Sequence, residues 1–162
     1  MFQKICPHLS DLTVPLRPPI TWAFQADHQT LRMEDMTNPM QTHGAFSWME
    51  LHSGDGAKAK EFYTGLLGWG LEDMEMPGMT YTVIANGEEK IGGFPPMAAE
   101  SPRWVPYVTV DDVDARIEKA RSLGATIASE PMSVPGVGRM ATLVDPVGGV
   151  IALITYETPA DA

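Results

Sequence analysis

The feature that most constrains this chain is that it repeats itself. Displacing the sequence by 56 residues sets Trp48 over Trp104, Asp55 over Asp111, Ala59 over Ala115, Leu67 over Leu123 and Gly68 over Gly124. Matches at strand, helix start and helix end together mark an internal duplication, so the fold is built from one supersecondary unit used twice. Pro77-Gly78 and Pro135-Gly136 extend the match with a slightly longer offset.

The spacing of apolar residues gives the content of the unit. In the first half it predicts a strand over 46–53, a helix over 56–67 ended by Gly68, and strands over 69–74, 79–85 and 90–94. The second half repeats the order: a strand over 104–110, a helix over 113–123 ended by Gly124, and strands over 126–129, 138–144 and 150–155. Ala59, Phe62, Tyr63, Leu66 and Leu67 form one helical stripe, and Val113, Ile117, Ala120 and Leu123 the other. Asp55 and Asp111 stand where a carboxylate accepts the orphan N–H groups of a helix start, and Gly68 and Gly124 suit left-handed helix ends. Two βαβββ units, each with one helix to cover one sheet face, put their helices outside and leave a curved sheet around a common cavity. The expected class is α+β, with a curved mixed sheet.

Periodic patterning begins near Ala45. Residues 1–44 hold five prolines and no sustained period, so they read as a leader, flexible or arising from a start assigned too far upstream; a partner-binding arm is the alternative. The folded domain is expected over 45–158, with one module over 45–95 and the other over 103–157. Charge excludes some partners: 11 Lys and Arg against 21 Asp and Glu give −10, which repels phosphate backbones and anionic lipid, so nucleic acid is not expected. No apolar run approaches the ~18 residues of a membrane helix, and no membrane partner is expected. Pro7, His8 and Asp11 interrupt any secretion signal, and the single Cys6 cannot form an internal disulfide, so a cytoplasmic protein is expected.

The segments AKEFYTGLLGW (59–69), YVTVDDVDARIEKARSLGA (107–125), PGVGRMATLVDPVGG (135–149) and VIALI (150–154) resemble the vicinal oxygen chelate superfamily, which takes in glyoxalases, bleomycin-resistance proteins and extradiol dioxygenases. Within it the chain looks most like the branch of predicted enzymes related to lactoylglutathione lyase. The resemblance implies a glyoxalase-like fold and, in metal-dependent members, one divalent cation held by His and Glu from the first and last strand of each unit. Such a site needs three or four converging N or O donors. The corresponding positions here are Trp48, a residue near Ile91 or Gly92, Val105 and Ala152. None offers a donor, and His52 is the only histidine past the leader, because His8, His28 and His43 precede Ala45. No metal ligand and no cofactor are therefore expected. A displaced site built from Glu50, His52 and groups of a second subunit stays open as an alternative.

Glu50 and His52 alternate on one strand face with Trp48. If that face lines the cavity, burial makes Glu50 the candidate acid–base group, with Trp48 and His52 as ligand contacts. Trp104 and Tyr107 lie three apart and so face opposite sides; one is a cavity wall and the other core or interface. Tyr81 and Thr142 are candidates to donate hydrogen bonds to a ligand oxygen, and Arg139 to grip a carboxylate or phosphate. There is no strand–glycine loop–helix phosphate motif and no Gly-x-Ser-x-Gly.

The function expected from these readings is binding of a small carbonyl-containing or aromatic metabolite without the usual divalent metal, with lyase-like or isomerase-like chemistry in which Glu50 is acid and base. The alternatives are a protein that sequesters a drug or metabolite, as bleomycin-resistance relatives do, and a fold that mainly pairs with a second copy. A homodimer is the expected assembly.

Overall fold

The computed structural model describes residues 38–76, 78–97 and 99–157. Its elements follow the duplicated order: β1 (Phe46–His52), α1 (Gly56–Leu67), β2 (Gly70–Met76), β3 (Met79–Asn86) and β4 (Glu89–Phe94), then β5 (Arg103–Thr109), α2 (Val113–Ser122), β6 (Thr126–Val134), β7 (Gly138–Val144) and β8 (Val150–Tyr156). All eight strands join one mixed sheet in the order β2-β3-β4-β1-β5-β8-β7-β6. In each unit the first and last strands run parallel, β1 beside β4 and β5 beside β8, and the units meet where β1 and β5 pair antiparallel. The two first strands thus occupy the middle of the sheet. This is the α+β, two-module glyoxalase-like architecture expected from the sequence.

Local chemistry sets the helix ends. Asp55 accepts the backbone N–H of Lys58 at 3.1 Å and starts α1, while Gly68, at φ 70°, ends it in the left-handed region. In the second unit the cap is Asp112, which accepts the N–H of Ala115 at 3.0 Å. The expected cap Asp111 instead accepts the N–H of Asp112 and is held by the Arg116 guanidinium, which keeps its carboxyl well below the usual range. Counted from the caps (112 − 55), the two units are related by 57 residues over their first strands and helix starts, not 56. Trp48 therefore corresponds to Val105, and Glu50 to Tyr107.

One face of the sheet lies under the helices. Val113 and Ile117 of α2 pack with Val110, Ala141 and Leu143, each large side chain contributing about 1.5–3 kcal/mol by burial. Under α1 the packing is thinner. Ala59 and Tyr63 reach Leu51, Ile84 and Phe94, but Phe62, Leu66 and Leu67 are at least half exposed, so only part of the expected stripe is buried. Tyr63 stacks on Trp69 at 5.6 Å, and both meet Trp104 edge-on. A hollow of about 320 Å³ opens beside this cluster, lined by Met49, Trp69, Ile84, Ile91, Gly92 and Trp104.

Two boundaries differ from the sequence reading by more than two residues. β6 runs on to Val134, past the expected end at Ser129, because as an edge strand it admits Pro131 within a stretch of shifted register. Residues 38–44, read as part of the leader, lie against the sheet: a short 3₁₀ turn at Pro39–Gln41 receives the Thr109 hydroxyl on the Pro39 carbonyl at 2.8 Å, and Gly44 N–H donates to the Thr109 carbonyl. The expectations for residues 1–37 lie outside the described residues. No helix among the described residues is long and apolar enough to cross a membrane.

Candidate functional site

The face opposite the helices carries the candidate site, at the seam between the units. Alternation along β1 sends Trp48, Glu50 and His52 to this inner face and Leu51 to the helix side. From β5, Tyr107 joins them, packed with Val105, Ala152 and Ile154. From β3, Tyr81 leans across Gly93, the β4 residue beside Glu50. A side chain at Gly93 would run into the Tyr81 ring, so glycine is what lets that phenol reach the carboxylate.

These side chains form one hydrogen-bonded network around Glu50. Tyr81 Oη lies 2.8 Å from Glu50 Oε1, and Tyr107 Oη 2.8 Å from Oε2. His52 Nε2 is 3.1 Å from the same Oε2, and the Trp48 indole N–H donates to Tyr81 Oη at 2.8 Å. An indole N–H can only donate, so Tyr81 accepts there and its own proton points to Glu50. Tyr107 has no other partner among the described residues and also donates to Glu50. Glu50 thus accepts from both phenols, and as a carboxylate it accepts a third hydrogen bond from His52 when Nε2 carries the ring proton. Burial, followed by the negative charge of Glu50, pushes the hydroxyls of Tyr81 and Tyr107 far above the ordinary phenol range. Burial also raises Tyr156, whose hydroxyl donates to Ser47 at 3.0 Å on the same face.

Solvent reaches this network at His52. Glu50 is 9% exposed, Tyr107 7%, while the His52 side chain keeps 23% of its surface. Across the seam His52 pairs with Arg103, so the two share the inner face at its open rim. Arg103 and Tyr156 are inner-face residues that the sequence reading passed over. Tyr156 had a signal, continuing the alternation Val150, Ala152, Ile154; the placement of Arg103 depends on the β1–β5 pairing, which no local pattern announces.

Of the residues expected at the site, Trp48, Glu50, His52, Tyr81 and Tyr107 come together directly. Thr142 pairs with Ala152 and so stands on the inner face, farther along the second unit. Trp104 does not reach it. Paired with Leu51, it points to the helix side, donates its indole N–H to Tyr63 Oη at 3.2 Å and walls the apolar hollow there. Arg139 is also elsewhere, because it shares the helix side with Ala141 and Leu143 and is tied to the Asp114 carboxylate of α2.

The positions at which a family metal would be held are Trp48, Gly93, Val105 and Ala152; the last-strand position of the first unit is Gly93, two strand neighbours from Val105 through Glu50, and not Ile91 or Gly92. Indole, hydrogen, isopropyl and methyl side chains supply no donor pair for a divalent cation, so the residues present do not fit that group. Among the described residues no three His, Cys, Asp or Glu side chains converge as a metal site requires.

Comparison with known proteins agrees with this architecture. The chain is 37% identical over 117 residues to the protein named "Putative glyoxylase CFP32" of Mycobacterium bovis, covering 68% of this chain and 45% of that protein. It is 30% identical over 127 residues to the anthracycline biosynthesis protein DnrV of Streptomyces peucetius, covering 68% and 46%. The chain thus spans about half the length of the curated relatives it matches. Among solved structures, methylmalonyl-CoA epimerase from Mycobacterium tuberculosis superposes with a TM-score of 0.52 at 18% identity, over 78% of this chain and 97% of that one. A mutant of 4-hydroxymandelate synthase from Streptomyces coelicolor gives 0.51 at 19% identity, over 74% and 40%. At such identities the superpositions speak to the fold. Residues 45–153 match the model of the Glyoxalase/Bleomycin resistance protein/Dioxygenase superfamily, and the chain belongs to that superfamily.

Proposed function

We propose that this protein binds a small carbonyl-containing or aromatic metabolite on the inner face of its sheet and moves a proton on it, in lyase-like or isomerase-like chemistry that does not use the divalent metal of its relatives. The observation that carries this reading is the Glu50 network: a buried carboxylate, oriented by two phenols, with a partly exposed imidazole beside it. Such a network costs desolvation energy that a purely structural inner face of Val, Ala and Ile would avoid, and groups of this kind concentrate at functional sites. The relatives' names support the ligand class, one being named for glyoxylase activity and the other for the biosynthesis of anthracyclines. Compartment and assembly follow the same reading: a cytoplasmic homodimer.

A second reading, sequestration without turnover, is favoured by the apolar residues at the four metal positions. Native mass spectrometry of the full chain, purified without chelator or metal-affinity resin, tests the binding claim; an organic adduct is expected, with no stoichiometric metal. Incubation of a panel of carbonyl compounds in deuterated water then separates the two readings. Exchange of protons α to the carbonyl, lost in Glu50→Gln while binding persists, supports the enzyme. Binding without exchange in the wild type supports sequestration.

A further inference from the structure

The sequence placed the chemistry on Glu50, yet the hydrogen-bond directions around it point one residue pair outward. We propose that the proton acceptor of this site is His52, with Nδ1 its reacting atom, and that Glu50 is the positioning residue that holds the imidazole in the Nε2–H tautomer. This rests on the functional reading above and assigns its atoms.

Trp48 N–H fixes the direction of the Tyr81 hydroxyl, which must donate to Glu50; Tyr107 donates to the other oxygen. Taken as a carboxylate, Glu50 has only lone pairs to offer His52, so the contact at 3.1 Å is a donation from Nε2–H to Oε2. In the neutral ring the remaining lone pair then lies on Nδ1. Nδ1 has no partner among the described residues, and the His52 side chain keeps 23% of its surface against 12% for Glu50. A carboxylate fixing the tautomer of an imidazole whose other nitrogen takes the proton is the logic of general-base dyads. Glu50 itself, 9% exposed and with Oε2 engaged by both Tyr107 and His52, keeps only the second lone pair of Oε1 for a substrate.

The groups that face His52 agree. Glu50 lies beside it on β1, and on β5 its cross-strand partner is Arg103, with Tyr107 beyond Val105 on the same face. In the proposed step the Nδ1 lone pair takes a proton from carbon α to a carbonyl, leaving the electron pair delocalised on the carbonyl oxygen, and the imidazolium formed is stabilised by the Glu50 charge.

The test reads the tautomer directly. In the ¹⁵N-labelled full chain, at about pH 8 where an ordinary imidazole is neutral, the His52 signals, identified by their loss in His52→Gln, are expected to show Nδ1 in the unprotonated range and Nε2 protonated. In Glu50→Gln, whose amide brings a donor into the network, an Nδ1–H population is expected to emerge. Diethyl pyrocarbonate is expected to acylate His52 in the wild type. An Nδ1–H tautomer in the wild type, a tautomer unmoved by Glu50→Gln, or an imidazole inert to the reagent overturns the assignment. If the tautomer and acylation are as expected but no carbonyl compound exchanges, the His52 geometry stands and the enzymatic reading fails instead.

Discussion

Tyr107 donates its hydroxyl to Glu50 at 2.8 Å, and the two residues are each other's counterparts in the duplicated units. The pair straddles the seam, so one unit supplies the charge and the other a donor that orients it. Equivalent positions have diverged into complementary chemistry, which a symmetric pair of carboxylates facing one another could not achieve without like-charge repulsion.

The first prediction concerns that bond. Tyr107→Phe keeps the ring among Val105, Ala152 and Ile154 but withdraws one of three donors from a buried carboxylate. Hydrogen bonds to charged groups contribute about 1.5–3 kcal/mol, and the variant should lose stability in that range, read as a lowered urea midpoint at unchanged slope. A midpoint equal to the wild type would mean that Glu50 is satisfied by other means.

Gly93→Ala probes the approach of Tyr81. The new Cβ collides with the Tyr81 ring and hydroxyl, and the ring cannot retreat without breaking its bonds to both Glu50 and Trp48. Overpacking of this kind costs about 1–3 kcal/mol. The double variant Gly93→Ala with Tyr81→Ala, which removes the obstructing ring, should cost less than the sum of the two single changes.

The alkaline limb of stability follows from the phenols. Tyr81, Tyr107 and Tyr156 have hydroxyls raised above the ordinary value by burial first, and in the folded state they stay protonated where the unfolded chain has begun to ionise. Above about pH 10 the unfolded state therefore binds fewer protons than the folded one, and stability falls as pH rises. Below that value the contribution is fully present. A phenolate absorbance titration should show these three tyrosines ionising only together with loss of tertiary structure; early, independent ionisation would contradict the network.

How far the sequence carried depended on whether the information was local. Helix and strand periods, the Asp55 cap and the left-handed Gly68 are written within a few residues and were readable directly. The offset was not, because Asp111 and Asp112 are both good caps and only the Arg116 partner and the His43 contact, which Asp111 makes through its N–H, separate them. Trp48, Glu50 and His52 could be grouped by alternation along one strand. Whether Trp104 or Tyr107 joined them depended on strand pairing, as did the exile of Arg139 to Asp114 and the arrival of Arg103 beside His52. The hollow under α1 is likewise a matter of how closely the helix settles on the sheet, which the apolar stripe alone does not state.

The cap assignment makes a separate prediction. Asp112→Ala should cost about 1 kcal/mol, the usual loss of a helix N-cap, and Asp55→Ala a similar amount. Asp111→Ala removes an exposed ion pair with Arg116 and should cost less. Equal losses for Asp111 and Asp112 would show that the two share the cap in solution.

The last prediction concerns metal. Cobalt, nickel and zinc ions in turn should leave the melting temperature of the full chain unchanged, since a ligand that binds only the folded state raises it in proportion to the logarithm of its concentration over its dissociation constant. Trp48, Gly93, Val105 and Ala152 have no side-chain lone pair to offer a cation. Glu50 and His52 supply at most two donors, already turned toward each other. A melting temperature that rises with one of these ions, and returns on chelation, would restore the displaced site, and loss of the rise in His52→Gln would locate it. The same titration in Glu50→Gln then distinguishes a cation on the imidazole alone from one bridged by the carboxylate, because only the bridged ion loses affinity when Glu50 loses its charge.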